Sequence, residues 1–409
     1  MTVHPTQVIV ADVTDRGEHL LAPLTDLRPV FDVRTGALTT LERLTLRSLL
    51  AGSAGPTGLL VPEPMAELAR ERHVLPVNPE LRGDVVLING ACPLADVSAL
   101  PLNSAEVDAA SGVLVRAHVQ AARVGAVLGG NLDGLRVKAA DGAAALLRPW
   151  HVRTQRDACL EVDLDLLMRQ GSESLSPAGV TILGDAGRVR IDPTARVLPT
   201  VVIDAQSGPV VIGARALVRP GTIIVGPAYI GHDSTVLERT LIKAGTAIGP
   251  WCKVAGEIGG TNFQGYTNKA HDGHLGDSWV GEWANLGAGT TNSNLLNTYG
   301  EVVCRPLGRD GKPGSNERSG QQFLGAIIGD HVKTAIGTRI MTGAVVGTGT
   351  MFAASGALSG TLPAMGWVTD AGVRTFRSDK FLEIAVAAMG RRKVTMGGAY
   401  RERLEAMSG

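Results

Sequence analysis

The sequence predicts two architectures in tandem: an α/β domain, then a left-handed parallel β-helix that ends in short C-terminal helices. Three observations lead there. Strand-like and helix-like segments alternate through residues 1–180, aliphatic residues recur at every sixth position between about 190 and 355, and helical patterning returns after Trp367. These set domain limits at 1–180, 181–366 and 367–409. A chain of 409 residues also exceeds what one hydrophobic core ordinarily organises.

In the front part, Val8-Ile9-Val10-Ala11 reads as a buried strand, followed by Thr39-Thr-Leu-Glu42, a capping box opening a helix to about Leu50. Gly58-Leu-Leu-Val61 is the next strand, Glu63 to about Arg72 a helix, and Asp84-Val-Val-Leu-Ile88 another strand. Strands alternating with helices predict a mainly parallel sheet covered on both faces. Residues 110–150 carry β-like segments around Gly112–Val119 and Gly125–Leu128.

The repeat is the strongest signal. Ile212, Val218, Ile224, Ile230, Val236, Ile242, Ile248 and Val254 fall six residues apart without a break, and Ile191, Val197 and Ile203 precede them at the same period. Val280 and Leu286 resume it, as do Ile328, Thr334, Ile340, Val346 and Phe352. Period six fits neither a helix face nor simple strand alternation. It fits a triangular solenoid in which each hexad makes one short strand and one corner, with the aliphatic inside and small residues such as Gly231 and Gly249 at the turn. Two stretches break the pattern, 255–274 and 295–324, and excursions from a rigid scaffold commonly carry function. Behind the solenoid, Ser378 to Met389 reads as a helix with Ser378 as N-cap, and Tyr400 to Met407 as a second, shorter one.

Composition excludes several classes. Lys plus Arg and Asp plus Glu each total 39, a formal net charge of zero, whereas a nucleic-acid surface or a polybasic membrane patch draws its affinity from excess cations. No apolar run approaches the ~18 residues of a membrane span. The opening Met-Thr-Val-His-Pro-Thr-Gln has no basic stretch leading into an apolar one, so it is not a secretory signal. The expected location is cytoplasmic, and the widely spaced Cys92, Cys159, Cys252 and Cys304 read as reduced, packed thiols.

The stretch Asn268-Lys-Ala-His-Asp-Gly-His-Leu-Gly-Asp-Ser-Trp-Val-Gly-Glu-Trp-Ala-Asn-Leu-Gly-Ala-Gly-Thr290 resembles the acetyltransferase domain of the bifunctional enzymes that make UDP-N-acetylglucosamine. Pro23-Leu-Thr-Asp-Leu-Arg-Pro29 and Arg34-Thr-Gly-Ala-Leu-Thr-Thr-Leu-Glu-Arg43 look like the divergent sugar nucleotidyltransferase-like, Rossmann-like domain of some bacterial relatives. The resemblance implies a catalytic general base at His271, six residues before Asp277. It implies catalytic roles for Glu257 and Asn294, and substrate binding by Asn285. Ala288 and Ala354 match contacts to acetyl-CoA, the implied co-substrate. An imidazole titrating near neutrality suits removal of a proton from an attacking amine.

The sequence departs from that family at named positions. His274 stands where the family has a substrate-contacting Tyr, Gly259 where it has a Lys, and Leu241 where it has an Arg. Lys269 and Lys243 are the cations available to replace them, so Lys269 and His274 join the substrate-binding set. In the front domain, Asp12-Val-Thr-Asp-Arg-Gly-Glu-His-Leu20 replaces a Gly-rich phosphate loop, Ala91 replaces a metal-binding Asp, and Arg28 replaces a catalytic Lys. Acidic side chains at the loop would repel a triphosphate, and a missing carboxylate removes a hard ligand for Mg²⁺. That domain is expected to be inactive, with Mg²⁺ needed only if it is not.

The leading expectation is an acyl-CoA-dependent transferase acting on an amino-sugar phosphate or sugar nucleotide. The alternatives are a sugar-1-phosphate nucleotidyltransferase and a non-catalytic trimeric sugar-nucleotide-binding protein. A zinc enzyme of the solenoid carbonic anhydrase kind would need three histidines from adjacent coils, with His271, His274 and His331 available; no metal site is expected. Flat-sided prisms pack around a threefold axis, so the chain is expected to be a homotrimer.

Overall fold

The computed structural model of the chain describes residues 6–15, 19–140, 142, 144–170, 174–175 and 177–407. It divides into two compact units: residues up to 148 apart from 22–26 and 34–37, and those two segments together with 149 onward.

The first unit is built on a six-stranded sheet of β1 (Gln7–Ala11), β2 (Gly58–Leu60), β3 (Asp84–Asn89), β4 (Ser104–Asp108), β5 (Leu114–Gln120) and β6 (Arg136–Ala140), in the order β2-β1-β3-β5-β4-β6. β1 runs parallel to β2 and β3, and β4 to β6, but β5 is antiparallel to both its neighbours. The sheet is therefore mainly parallel, three pairings of five, with β5 as the antiparallel exception. The reason is local: a tight turn between Asp108 and Val113 joins β4 to β5, and so short a link permits only antiparallel pairing. Helix α1 (Thr40–Leu50) starts from the expected box, with the Glu42 amide donating to Thr39 Oγ1 at 3.1 Å and the Thr39 amide donating to Glu42 Oε2 at 2.8 Å. Helix α2 spans Ala66–Arg72. The segment 125–128, read as β-like, is helix α3 (Val124–Leu128); Val124 and Val127 lie three apart and both pack against the sheet core of Ile9, Val85, Leu87, Ala117 and Val119.

The second unit opens with α4 (His151–Arg169), then forms a three-faced parallel β-helix of the left-handed, hexapeptide kind. Face I stacks six strands from Thr181–Leu183 to His274–Gly276, and face II stacks nine from Val189–Ile191 to Thr361–Leu362. Face III stacks five from Arg196–Val197 to Asn268–Lys269, and continues through Lys333–Thr334, Met351–Phe352 and Gly366–Thr369. On face I one residue of each strand points inward, so Ile203, Ile224, Ile242, Ile258 and Leu275 form one fully buried column. The outward residues of face II are buried too, among them Val211, Tyr229, Ala247, Trp279 and Val345. Residues 34–37 lie over that face, with the Arg34 carbonyl accepting from Trp279 Nε1 at 3.1 Å and the Arg34 amide donating to Gln264 Oε1 at 2.8 Å.

Of the two breaks in the repeat, only the second leaves the scaffold. Residues 255–274 contribute strands Glu257–Gly259, Asn262–Phe263, Asn268–Lys269 and His274–Gly276 to the three faces; their turns are shorter, which disturbs the sequence period but not the ladder. Residues 295–324 do leave it. They form an antiparallel excursion in which Val303 pairs with Arg318 and Leu295 with Phe323, anchored where Val302, Cys304 and Leu324 pack on Trp150. At the C-terminus α5 (Ser378–Gly390) and α6 (Gly398–Ala406) follow. Ser378 is the first helical residue rather than the N-cap, which is Arg377 without a side-chain capping bond. All four cysteines are free and buried. No helix among the described residues is long and apolar enough to cross a membrane.

Phe263 fills the prism interior without exposure. Truncation to Ala would leave a cavity costing about 3–5 kcal/mol. Phe263→Ala is expected to lower the thermal transition of the chain by several degrees in calorimetry.

Candidate functional site

With the prism interior filled, reactive side chains are confined to its edges and outer faces. Lys269, Leu286, Thr334 and Phe352 form one column of face III, and two residues further along each coil stand His271, Ala288, Ile336 and Ala354. The expected base and both expected coenzyme contacts therefore share the edge between faces III and I. His271 is exposed, and its ring bonds to no other described residue. Ala288 and Ala354 are half-buried, and the Ala288 carbonyl accepts from the Gly337 amide at 2.7 Å.

Lys269 is not placed to bind substrate. It occupies an inward position in column with Val254, and only 1% of it is exposed. Its Nζ donates to the carbonyls of Ala255 at 3.2 Å, His271 at 2.6 Å and Asp272 at 3.0 Å. An ammonium has three donors, and all are spent on clamping the turn that carries His271. Burial pushes the Lys269 pKa down to about 8, against the opposing pull of nearby Asp272.

Beside this edge, on face I, Glu257 and His274 are register partners on adjacent coils. Glu257 Oε1 lies 3.3 Å from His274 Nδ1 and 2.7 Å from Lys243 Nζ. The Lys243 hydrogen bond, and the neighbouring His274, hold the Glu257 carboxyl below the usual carboxylate range. Glu257 thus partners His274, not His271. Above the Gly276 Cα, His274 and Asn294 converge: a Cβ there would fall 2.5 Å from His274 Nε2 and 2.9 Å from Asn294 Nδ2, so any side chain at 276 would push them apart. Asn294 Nδ2 donates to Asp277 Oδ2 at 2.8 Å, and Asp277 Oδ1 accepts from Arg153 Nε at 2.8 Å and Arg156 Nη1 at 2.9 Å. Arg153 and Arg156 lie one turn apart on α4, a spacing that the sequence displays although no apolar stripe marks the helix.

Asn292 creates the opening in which His274 and Asn294 meet. Face I stops at His274–Gly276, and the next coil, Thr291–Asn292, pairs with Arg339–Ile340 in a separate sheet. Between the two, Asn292 Oδ1 accepts from the Gly276 amide at 2.7 Å while its Nδ2 donates to the Gly276 carbonyl at 2.9 Å. The side-chain amide stands in for a peptide group and spaces the coils apart. Asn285 lies elsewhere, exposed on face III beside Lys333. His331 is buried, with Nε2 2.9 Å from the Tyr400 hydroxyl, and among the described residues no three His, Cys, Asp or Glu side chains gather as metal ligands.

In the first unit, Asp12 at the end of β1 is buried. Its Oδ1 accepts from the Thr14 amide at 2.9 Å and Oγ1 at 2.6 Å, and its Oδ2 from the Val30 amide at 2.8 Å. Desolvation raises its pKa. A carboxylate here occupies amides of the kind that cradle a phosphate. Ala91 and Arg28 are fully buried, so position 91 offers no ligand to Mg²⁺ and Arg28 faces no substrate; these residues do not fit the metal. Arg16, Gly17 and Glu18 of that loop lie outside the described residues.

Fold and site together define a class: a nucleotidyltransferase-like unit joined to a hexapeptide-repeat β-helix. Residues 9–171 match the family described as sugar nucleotidyl transferase. The chain is similar to the bifunctional protein GlmU of a Cyanothece species, 29% identical over 202 residues that cover 44% of this chain and 43% of that protein. It is also similar to the bifunctional sugar-1-phosphate nucleotidylyltransferase/acetyltransferase of Sulfurisphaera tokodaii, 32% identical over 135 residues, 33% of this chain and 27% of that one. The chain thus spans less than half the length of these curated relatives. Among solved structures, the UDP-N-acetylglucosamine acyltransferase of Francisella novicida aligns at 13% identity with a TM-score of 0.31, over 54% of this chain and 74% of that one. The acetyltransferase domain of PglB from Neisseria gonorrhoeae aligns at 12% with a TM-score of 0.16, over 79% and 100%. Likenesses this distant do not bear on residue roles.

The depressed Lys269 pKa has a signed consequence. Between about 8 and 10.5 the unfolded chain keeps a proton that the folded chain has released, so the stability contribution of this group rises across that window, while below pH 8 the desolvation penalty is full. The Tm of the natural chain minus that of Lys269→Met is expected to grow more positive from about pH 7.5 to about pH 10. A flat or falling difference would contradict the buried ammonium.

Proposed function

We propose that the second unit transfers an acyl group, acetyl in the first instance, from a coenzyme A thioester to an amino-sugar phosphate or sugar nucleotide, with His271 as general base. The observation that carries this reading is the edge on which His271, Ala288 and Ala354 recur at equivalent positions of stacked coils. Ala288, one coil from His271, leaves room for a donor beside the imidazole, and Ala354 does so again beyond the exposed Ile336. The acceptor amine or hydroxyl attacks the thioester carbonyl, His271 takes its proton, the C–S bond breaks, and the thiolate leaves to become the free thiol. Asn294 and the Glu257–His274 pair face the acceptor. The clamp of Lys269 on the His271 carbonyl keeps the base in place without touching substrate.

A second reading makes His274 the base. It is favoured by the Glu257 contact at Nδ1, which leaves Nε2 free and aimed toward Asn294, as the orienting carboxylate does in other triads. The two readings separate in one assay of free-thiol release from acetyl-CoA over a panel of amino sugars, sugar phosphates and sugar nucleotides. His271→Ala is expected to lose about 10²–10⁴-fold in kcat, and His274→Phe mainly to raise KM. The reverse pattern would transfer the role to His274, and unchanged turnover in both would end the proposal. In the first unit, occupied amides at Asp12 and the missing carboxylate at 91 support loss of nucleotidyl transfer; the same preparations should release no pyrophosphate from UTP or dTTP with Mg²⁺.

Ile336, 80% exposed on the same edge, supports its burial against a neighbouring prism. A homotrimer is expected in light scattering, and a monomer at micromolar concentration would overturn it.

A further inference from the structure

The outer side of face III gathers positive charge that the acyl-transfer reading does not use. Lys333, Arg391 and Arg392 line a cavity of about 190 Å³ together with Tyr266, Trp283 and Asn285, and no carboxylate lines it. Past Tyr266 it opens into a longer groove of about 760 Å³ that adds Trp251, Lys253 and Lys393. The acidic residue there, Asp233, is already paired with Arg215 at 2.6 Å.

The three cavity cations are poorly compensated within the chain. Among the described residues, Lys333 Nζ donates only to the Trp283 carbonyl at 3.3 Å, and Arg392 Nη2 only to Asn268 Oδ1 at 2.7 Å, a neutral acceptor. The Arg391 guanidinium bonds to no other described residue. Burial, and then Arg391 beside it, push the Lys333 pKa down to about 8. Like charges held together in a partly desolvated cavity repel one another unless an anion joins them.

The fold holds them there nonetheless. Residues 391–393 continue from the end of α5, and both C-terminal helices dock on His331, through Phe381 at 5.8 Å between ring centroids and through the Tyr400 hydroxyl. The wall opposite is aromatic: Trp251 and Tyr266 lie 6.2 Å apart and 3° from parallel, and Tyr266 stacks on Trp283 at 4.2 Å. Trp251, Tyr266 and Trp283 all have left-handed backbone, φ 59°, 55° and 61°, which sets their rings in a row on successive coils.

We propose that this groove binds a ligand of the nucleoside diphosphate class, its phosphates among Lys333, Arg391 and Arg392 and its base on Trp251, at the open end of the aromatic row. Guanidinium groups match phosphate oxygens in pairs, and an aromatic face accepts any planar base. A nucleoside diphosphate sugar and the adenosine end of coenzyme A share this chemistry. The site stands on a different face from the Glu257–His274–Asn294 group, and its binding does not depend on the acyl-transfer reading.

The test is titration of the full chain with UDP, a UDP-sugar, coenzyme A and inorganic pyrophosphate, followed by calorimetry and tryptophan fluorescence. Saturable binding with quenching is expected for at least one nucleotide, and whether UDP or coenzyme A binds tighter identifies the source. Arg391→Gln with Arg392→Gln should weaken that nucleotide by at least about tenfold. Trp251→Leu should weaken it about tenfold while leaving pyrophosphate within about twofold. Three results would overturn the proposal: no saturable nucleotide binding, binding indifferent to the arginine pair, or pyrophosphate binding as tightly as every nucleotide.

Discussion

The second unit depends on a ladder that no coil can complete alone. Each face of each coil is a strand of two to four residues, so its amides and carbonyls must be met by the coils above and below. The Gly213 amide reaches the Ile230 carbonyl at 2.8 Å, and one coil later the Gly231 amide reaches that of Ile248 at 2.7 Å. Where the chain departs for the 295–324 excursion the ladder is interrupted, and polar side chains mend it. Asn292 bonds both polar groups of Gly276, Ser278 Oγ accepts from the Ala326 amide at 2.9 Å, and Thr334 Oγ1 accepts from the Gly287 amide at 3.0 Å. The polar layer inside an otherwise aliphatic prism is therefore the structural cost of the excursion, and the opening at Gly276 is its by-product.

That opening is fixed from far away in the sequence. Asp277 takes a left-handed backbone at the end of its strand and presents one carboxylate oxygen to Asn294 and the other to Arg153 and Arg156 of α4. Two guanidinium groups this close need the carboxylate, since either one buried without a counter-charge would be strongly destabilising. The same ion cluster that fastens the helix to the solenoid consequently sets the position of the Asn294 amide.

The repeat was legible because one position in six must be aliphatic, and the inward column of face I bears this out residue by residue. It became illegible at 255–274 for two reasons: shorter turns shift the count, and Lys269 takes an inward position that elsewhere holds Val236 or Val254. The resemblance places Glu257 in the catalytic set without a partner; neighbours in a solenoid are residues one coil apart, and that relation joins Glu257 to His274. Helix α4 escaped notice because its buried side includes Gln155, Arg156 and Asp163, which break the apolar stripe by which a helix is recognised. The aromatic row on face III was missed as well; its members lie in turns, where no strand or helix period would mark them.

In the first unit, the residues that make the sheet are distinct from those that occupy the end of β1. The core of its sheet is made by Ile9, Val85, Leu87, Ala117 and Val119, none of which a phosphate would touch. The amides at the end of β1 are a separate set, and Asp12 accepts intramolecularly from those of Thr14 and Val30. An internal carboxylate is always present at its own site, whereas a triphosphate must displace it and then face its charge. With Asp12 satisfying those donors, the strand end is stable without a ligand. The sheet and the amides at its strand end therefore answer to different residues, so a change at one leaves the other intact.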